Sequence, residues 1–222
     1  MSKTEGFFIT GTDTEIGKTL VAGALIQKFR EHGMNALGFK PVAAGTYQDS
    51  KGKVLNEDIE TLRIAANLEP GQVMPSPYVF DMPIAPHIAA EKLGKRLQIS
   101  TILESYKEVS RQTNLIIIEG AGGLLIPLNA EENLGDLAQQ LGLPVIMVVG
   151  MRLGCINHAL LTYEALTSRK LIVAGWVANC LASEMPFLQE NIKTLQSKIQ
   201  APLLGSIPPL PKHLQKPNHS PY

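Results

Sequence analysis

Residues 11–19 read GTDTEIGKT and lie between the apolar run Phe7-Phe8-Ile9 and the apolar stretch 20–26. A strand, a glycine loop, Lys-Thr and a helix in that order make a phosphate cradle. The loop N–H groups turn inward around phosphate oxygens, the lysine reaches the outer phosphates, and the threonine hydroxyl ligates magnesium at the helix N-terminus. Here Lys18 and Thr19 would carry those roles, and the chain is expected to bind a nucleoside triphosphate. The usual motif has one residue fewer between its glycines than the stretch Thr12 to Ile16 that separates Gly11 from Gly17. The longer loop keeps the chemistry and leaves Thr14 and Glu15 where side chains can face a second ligand beside the phosphates; an ordinary glycine-rich turn is the competing reading.

Other chemistry-bearing residues stand where apolar runs end. Lys40 closes a short run in GFKPVAAG, where it could hold a substrate carboxylate or neutralise a phosphoryl group in transit, or be a solvated strand-end lysine. Glu119 follows Leu115-Ile116-Ile117-Ile118 and precedes GAGG. A carboxylate there suits a metal better than a core, and magnesium takes hard oxygen ligands, so Thr19, Asp58 and Glu119 form a candidate set. Asp58 equally suits a helix start, stabilised by the macrodipole. In VGMRLGCINH, the free N–H groups of Gly154, Cys155, Ile156 and Asn157 open a helix and could receive a carboxylate or simply water. His158 reads as a packed or surface histidine. Asn179, in GWVANC, can donate and accept as an adenine edge requires. Pro208, Pro209 and Leu210 could wall a base or merely close the domain.

The elements that must hold these residues alternate. Period and punctuation predict strands at 6–10, 36–41, 115–119, 144–149, 171–177 and 202–207, and helices at 18–32, 57–67, 86–93, 100–112, 134–141, 155–168 and 186–199. Residues 45–55 read as a polar loop, and 75–86 as a proline-punctuated loop with a short edge strand. Strands apolar on both faces belong to a parallel sheet covered on each side. The expected fold is α/β, a single doubly wound, mostly parallel sheet with helices on both faces, and ligands at the strands' carboxyl ends.

The whole chain sets bounds. Its 222 residues fit one domain, 1–222. Twenty basic and twenty acidic residues balance, so neither nucleic acid nor an anionic membrane is favoured as partner. The longest apolar stretch, 143–150, is far short of the ~20 residues of a membrane span, and the N-terminus lacks a signal-peptide core, which points to a cytoplasmic protein. Two cysteines, Cys155 and Cys180, make neither a disulfide framework nor a zinc site.

Taken together, GTDTEIGKT, GFKPVAAG, IIIEGAGG, VGMRLGCINHALLT, AGWVANC and APLLGSIPPL resemble the dethiobiotin synthase family over residues 8–210. The resemblance implies a P-loop NTPase-like fold and ring-closing carboxylation of 7,8-diaminopelargonate with CO2 and ATP, giving dethiobiotin, ADP and phosphate through a carbamate and a carbamic-phosphoric anhydride. It implies that Lys18 and the N–H groups of Glu15, Ile16, Gly17, Lys18, Thr19 and Leu20 hold the phosphates, beside Gly120, Ala121 and Gly122. It implies that Thr19, Asp58 and Glu119 hold Mg2+, and that Lys40 and Thr14 face the carbamate. Asn179, Cys180, Pro208, Pro209 and Leu210 would frame adenine. The substrate's distal carboxylate would rest on the helix start Gly154, Cys155, Ile156 and Asn157 of a partner subunit, which makes the expected assembly a homodimer.

Two positions depart from the family pattern. Ala44 stands where similar enzymes often carry a substrate-bonding serine, with Thr46 nearby. The tail 211–222 lacks the acidic residue that often meets the ribose, and Gln215 is its nearest stand-in, so looser nucleotide selectivity is expected. A partitioning-type ATPase switch would carry an additional lysine where Thr12 and Asp13 stand, a GTPase would need Asn-Lys-x-Asp near 177–180, and a cobyrinate-type amide ligase would need a glutaminase domain.

Overall fold

The segment LIIIE can satisfy its apolar side chains only if both faces of its strand are covered. In the computed structural model, which describes residues 5–69, 75–181 and 185–210, all five of its residues are buried. The tail 211–222, with Gln215, lies outside the described residues.

The elements run β1 (Glu5–Gly11), α1 (Lys18–Glu31), β2 (Ala36–Phe39), β3 (Val42–Ala44), β4 (Tyr47–Gln48), β5 (Val54–Leu55), α2 (Glu57–Ala65), β6 (Tyr78–Phe80), α3 (Pro86–Lys92), α4 (Ile99–Ser110), β7 (Leu115–Glu119), α5 (Leu134–Leu141), β8 (Val145–Met151), α6 (Cys155–Ser168), β9 (Val173–Cys180), α7 (Leu188–Lys198) and β10 (Leu203–Ile207). Six strands form one sheet in the order β10-β9-β8-β1-β7-β2, and every neighbouring pair is parallel. Strand order reverses about β1, because the chain leaves it toward β2, returns to insert β7 between the two, and then adds β8 on the other side. An open α/β sheet binds its ligands at such a switch point, outside the carboxyl ends of the strands. The core is built from the two faces of β1, β7 and β8, with Phe8, Ile9, Ile116, Ile118, Val145 and Met147 buried, and Trp176 of β9 fully enclosed.

Three segments differ from the sequence expectation. The loop 45–55 contains a small antiparallel hairpin, β4 with β5, while the short strand expected within 75–86 is present as β6 and pairs in parallel with β3 as a two-stranded annex. These strands are two or three residues long, too short for a period to be read. The strand expected at 171–177 continues to Cys180, since Ala178, Asn179 and Cys180 are buried between β8 and β10 although their side chains carry no apolar run. The first described helix past 185 starts at Leu188, after Phe187 takes a left-handed φ of 56° as its N-cap. Among the described residues no helix is long and apolar enough to cross a membrane.

Candidate active site

The sheet order explains why distant residues meet. β7 lies between β1 and β2, with Ile9 opposite Glu119 and Ile118 opposite Phe39. The end of β1 opens into the glycine loop, the end of β7 is Glu119, and Lys40 follows the end of β2. Three segments far apart in sequence therefore end side by side on one edge of the sheet.

The glycine loop reaches α1 through Gly17, whose φ of 86° is a conformation that side chains disfavour, and Glu15 adopts a left-handed φ of 55° just before it. Asp13 organises the first half of the loop. One carboxylate oxygen accepts the Thr14 N–H at 2.8 Å, the other forms an ion pair with Arg152, and its carbonyl accepts Lys18 Nζ at 2.7 Å. Lys18 is buried, and burial followed by the nearby Lys40 charge lowers its pKa to about 8. A lysine so placed is pre-aimed along its own loop and gains when a polyanion arrives. The Thr14 hydroxyl lies against Gly122 of the GAGG turn, 3.3 Å from where a Cβ on that glycine would sit.

Beside the loop is a buried charge cluster. Lys40 Nζ lies 2.8 Å from Asp58 Oδ2 and 2.8 Å from Glu119 Oε1, and donates also to the Gly120 carbonyl at 3.3 Å. Thr19 Oγ1 stands 2.8 Å from Asp58 Oδ1 and 2.8 Å from Glu119 Oε1. Burial pushes the Lys40 pKa down, but the Asp58 and Glu119 carboxylates outweigh it and hold the ammonium well above the ordinary lysine range. Burial pushes the Glu119 carboxyl up, only partly opposed by Lys40. Asp58 is brought there by α2, whose N-cap Asn56 accepts the Ile59 N–H at 3.1 Å and donates to the Gly45 carbonyl at 2.7 Å. Asn56 thus ties the helix start to the segment following β3, a role sequence reading missed; its signal was an Asn directly before two acidic residues.

Two carboxylates and a hydroxyl converging on one point, next to a phosphate loop, are the hard-oxygen donors that magnesium takes together with phosphate oxygens and water. The remaining buried oxygen, Glu119 Oε2, has no hydrogen-bond partner among the described residues, which fits a hard-oxygen cation ligand. Among the described residues no group of three His, Cys, Asp or Glu side chains is arranged for a metal, so any ion here would depend on Thr19 and the nucleotide.

The second amide nest opens α6. Gly154 takes a φ of 94°, and the Cys155 N–H is spent on the Arg152 carbonyl at 2.9 Å, which leaves the N–H groups of Ile156 and Asn157 directed out of the helix. The Cys155 side chain is buried, while His158 is a surface residue. Arg152 bridges this helix start to Asp13 of the phosphate loop, a link the spacing did not reveal. Asn179 donates to the Ile16 carbonyl at 2.8 Å, and Ile207, just before Pro208, Pro209 and Leu210, is its register partner on β10. Cys180 is a buried free thiol. Ala44 ends β3, and the Thr46 hydroxyl is committed to Asp81 Oδ1 at 2.9 Å. Leu20 continues α1 directly after Thr19, and Ala121 packs partly buried against the core beside Gly120.

Two solved structures share the fold: a ParA family ATPase from Chlorobium tepidum (TM-score 0.56, 13% identity, 95% of this chain and 86% of that one) and the MinC:MinD cell division protein complex from Aquifex aeolicus (TM-score 0.58, 14% identity, 94% and 83%). A family described as an AAA domain matches residues 5–217. The ATP-dependent dethiobiotin synthetase BioD of Aromatoleum aromaticum is 47% identical over 208 residues, covering 94% of this chain and 92% of that protein. With identity at that level over nearly the whole length, the chain belongs to the dethiobiotin synthetase family.

Proposed function

We propose that this chain is a dethiobiotin synthetase that closes the ureido ring of dethiobiotin from 7,8-diaminopelargonate, CO2 and ATP. The observation that carries the reading is the junction of the phosphate loop with the buried cluster of Lys40, Asp58, Glu119 and Thr19, in a chain 47% identical to an ATP-dependent dethiobiotin synthetase.

One amine of the substrate adds to CO2 and loses a proton, giving a carbamate. A carbamate oxygen attacks the γ-phosphorus and ADP departs, leaving a carbamic-phosphoric anhydride. The second amine attacks the carbamoyl carbon, phosphate leaves, and the ring closes. Each step brings anions together, so catalysis here is chiefly positioning and charge neutralisation. Lys18 and the N–H groups from Glu15 to Leu20 hold the triphosphate. Lys40, kept protonated by its two carboxylates, faces the carbamate and the phosphoryl group in transit, with the Thr14 hydroxyl aligning the carbamate. Thr19, Asp58 and Glu119 would hold Mg2+, which when bound supplies Lewis-acid neutralisation of the phosphate oxygens.

We assign the adenine to the carboxyl ends of β9 and β10, between Asn179 and Cys180 on one side and Pro208 to Leu210 on the other. The distal carboxylate of the substrate meets the α6 start, Gly154 to Asn157, of a second subunit in a homodimer. Leu153, 99% exposed beside that start, supports an interface there, since a fully solvated leucine gains from burial. We further take residues 1–222 as one cytoplasmic domain. The test is phosphate release from ATP with and without diaminopelargonate and bicarbonate. Release that requires both is expected; release indifferent to the diamine, or raised only by added protein or DNA, overturns the assignment.

A further inference from the structure

The loop residue Ile16 is held from two sides by residues that face each other across the sheet. Gly150 of β8 and Asn179 of β9 are register partners. The Asn179 amide donates to the Ile16 carbonyl at 2.8 Å with both residues buried. The Ile16 side chain fills a slot between two glycines: a Cβ on Gly150 would lie 2.5 Å from its Cγ2, and one on Gly11 would lie 2.5 Å from its Cδ1. Real side chains do not approach so closely, so the slot exists only because β1 and β8 both carry glycine there. Asn179 Nδ2 also occupies the space a Cβ on Gly17 would need.

This matters for phosphate binding because the Ile16–Gly17 peptide is planar, with its C=O and N–H pointing in opposite directions. Gripping the Ile16 carbonyl on the β9 side turns the Gly17 N–H the other way. Gly17 immediately precedes Lys18, so the grip fixes the stretch from which the phosphate donors project. A loop one residue longer than usual has more shapes open to it, and a buried plug at its last residue before Gly17 removes them. We propose that Gly150 and Asn179 form a seat for Ile16 that shapes the phosphate loop, which makes Asn179 a positioning residue for the triphosphate apart from any contact with the base. The proposal rests on the reading of the loop as a triphosphate site.

The experiment separates phosphate from base. Binding of inorganic tripolyphosphate, ATP and adenosine is measured by calorimetry for the wild type, Asn179→Ala, Gly150→Ala and Ile16→Ala/Gly150→Ala, alongside thermal unfolding. The seat predicts that Asn179→Ala and Gly150→Ala each weaken tripolyphosphate binding about tenfold, as loss of one buried hydrogen bond or of the slot requires. It also predicts that Ile16→Ala, which removes the closest contact and leaves only the flexible Leu181 tip at 2.9 Å and a Cβ at 3.0 Å to give way, recovers part of the binding in the Gly150→Ala background. If Asn179 acts on the base alone, Asn179→Ala weakens ATP and adenosine but leaves tripolyphosphate within about twofold, and the seat is refuted. Should Asn179→Ala be unfolded at the assay temperature, Gly150→Ala and its Ile16→Ala partner decide the matter, and unaltered tripolyphosphate binding in Gly150→Ala refutes the proposal. A wild type that binds ATP's phosphates no better than adenosine would instead remove the triphosphate site itself.

Discussion

Replacing Lys40 by Met keeps most of its volume and deletes its charge, so the consequence is electrostatic rather than a cavity. Lys40 is 3% exposed and sits 2.8 Å from both Asp58 and Glu119, the latter 1% exposed. Removing one member of a buried ion pair costs about 3–5 kcal/mol because the surviving charge is stranded. Here the side chain of Asp58 is 30% exposed and takes up water, so the lower end, about 3 kcal/mol, is the better figure. For a chain of this size that is a fall in Tm of roughly 6–12 °C. The loss has a pH signature. Burial already raises the Glu119 carboxyl above its ordinary value, and losing Lys40 raises it further. Between the unfolded and the folded value the native state then binds more protons than the unfolded chain, so the stability of Lys40→Met falls as pH rises through that window and is best preserved in acid.

A second cation should substitute for the first. If Thr19, Asp58 and Glu119 hold Mg2+, the ion supplies the missing charge, and at about 100 times its Kd it returns about 2.7 kcal/mol, most of the deficit. Thermal unfolding of wild type and Lys40→Met at pH 5 and pH 8, with and without magnesium, is the assay. The wild type should gain less from the metal, since Lys40 already contacts the same oxygens. Equal Tm values for the two proteins in the absence of metal, or equal magnesium gains, would refute the account of the cluster. Activity should fall by about 10²–10³ in kcat, with ATP affinity little changed.

Burial lowers the Lys18 pKa to about 8, so at pH 9 much of it is neutral and triphosphate binding should draw in part of a proton; ATP affinity should decline above pH 8, and identical calorimetric enthalpies at pH 9 in buffers of different ionisation enthalpy would contradict this. Glu119→Gln removes one hard ligand and should raise the magnesium concentration needed for half-maximal turnover, whereas an unchanged titration would take the residue out of the metal site. The Arg152–Asp13 pair is about half exposed, so Arg152→Ala should lower stability by no more than about 1 kcal/mol. A larger loss, measured by denaturant unfolding, would mean that the link between the two amide nests carries more of the fold than its exposure allows.

What the sequence made legible was local. The phosphate loop, the parallel sheet and the strand-end position of Lys40 and Glu119 each follow from adjacent residues: Gly-Lys-Thr before a helix, four apolar residues before a carboxylate, a proline after a lysine. The Lys40–Glu119 contact does not follow from them, because it depends on β7 entering between β1 and β2, a choice of strand order that neither strand's pattern records. Asn56 and Arg152 were passed over for a similar reason, since their partners, the Gly45 carbonyl and Asp13, lie across a turn or 139 positions away.

Asn179 shows the same limit from the other side. Its type suggested a base-reading amide, and nothing nearby in sequence said that its first hydrogen bond goes to the phosphate loop, 163 positions upstream. Yet the register that pairs it with Gly150 follows from β8 and β9 being neighbours, and both then face Ile16. The longer loop, which in the sequence is an irregular spacing, is in the fold gripped by the sheet at its last residue before Gly17, Ile16. If the seat holds, a motif search that tolerates the longer spacing should also ask for a glycine on the neighbouring strand and an amide on the next, because that pair fixes the second half of the loop as Asp13 fixes the first.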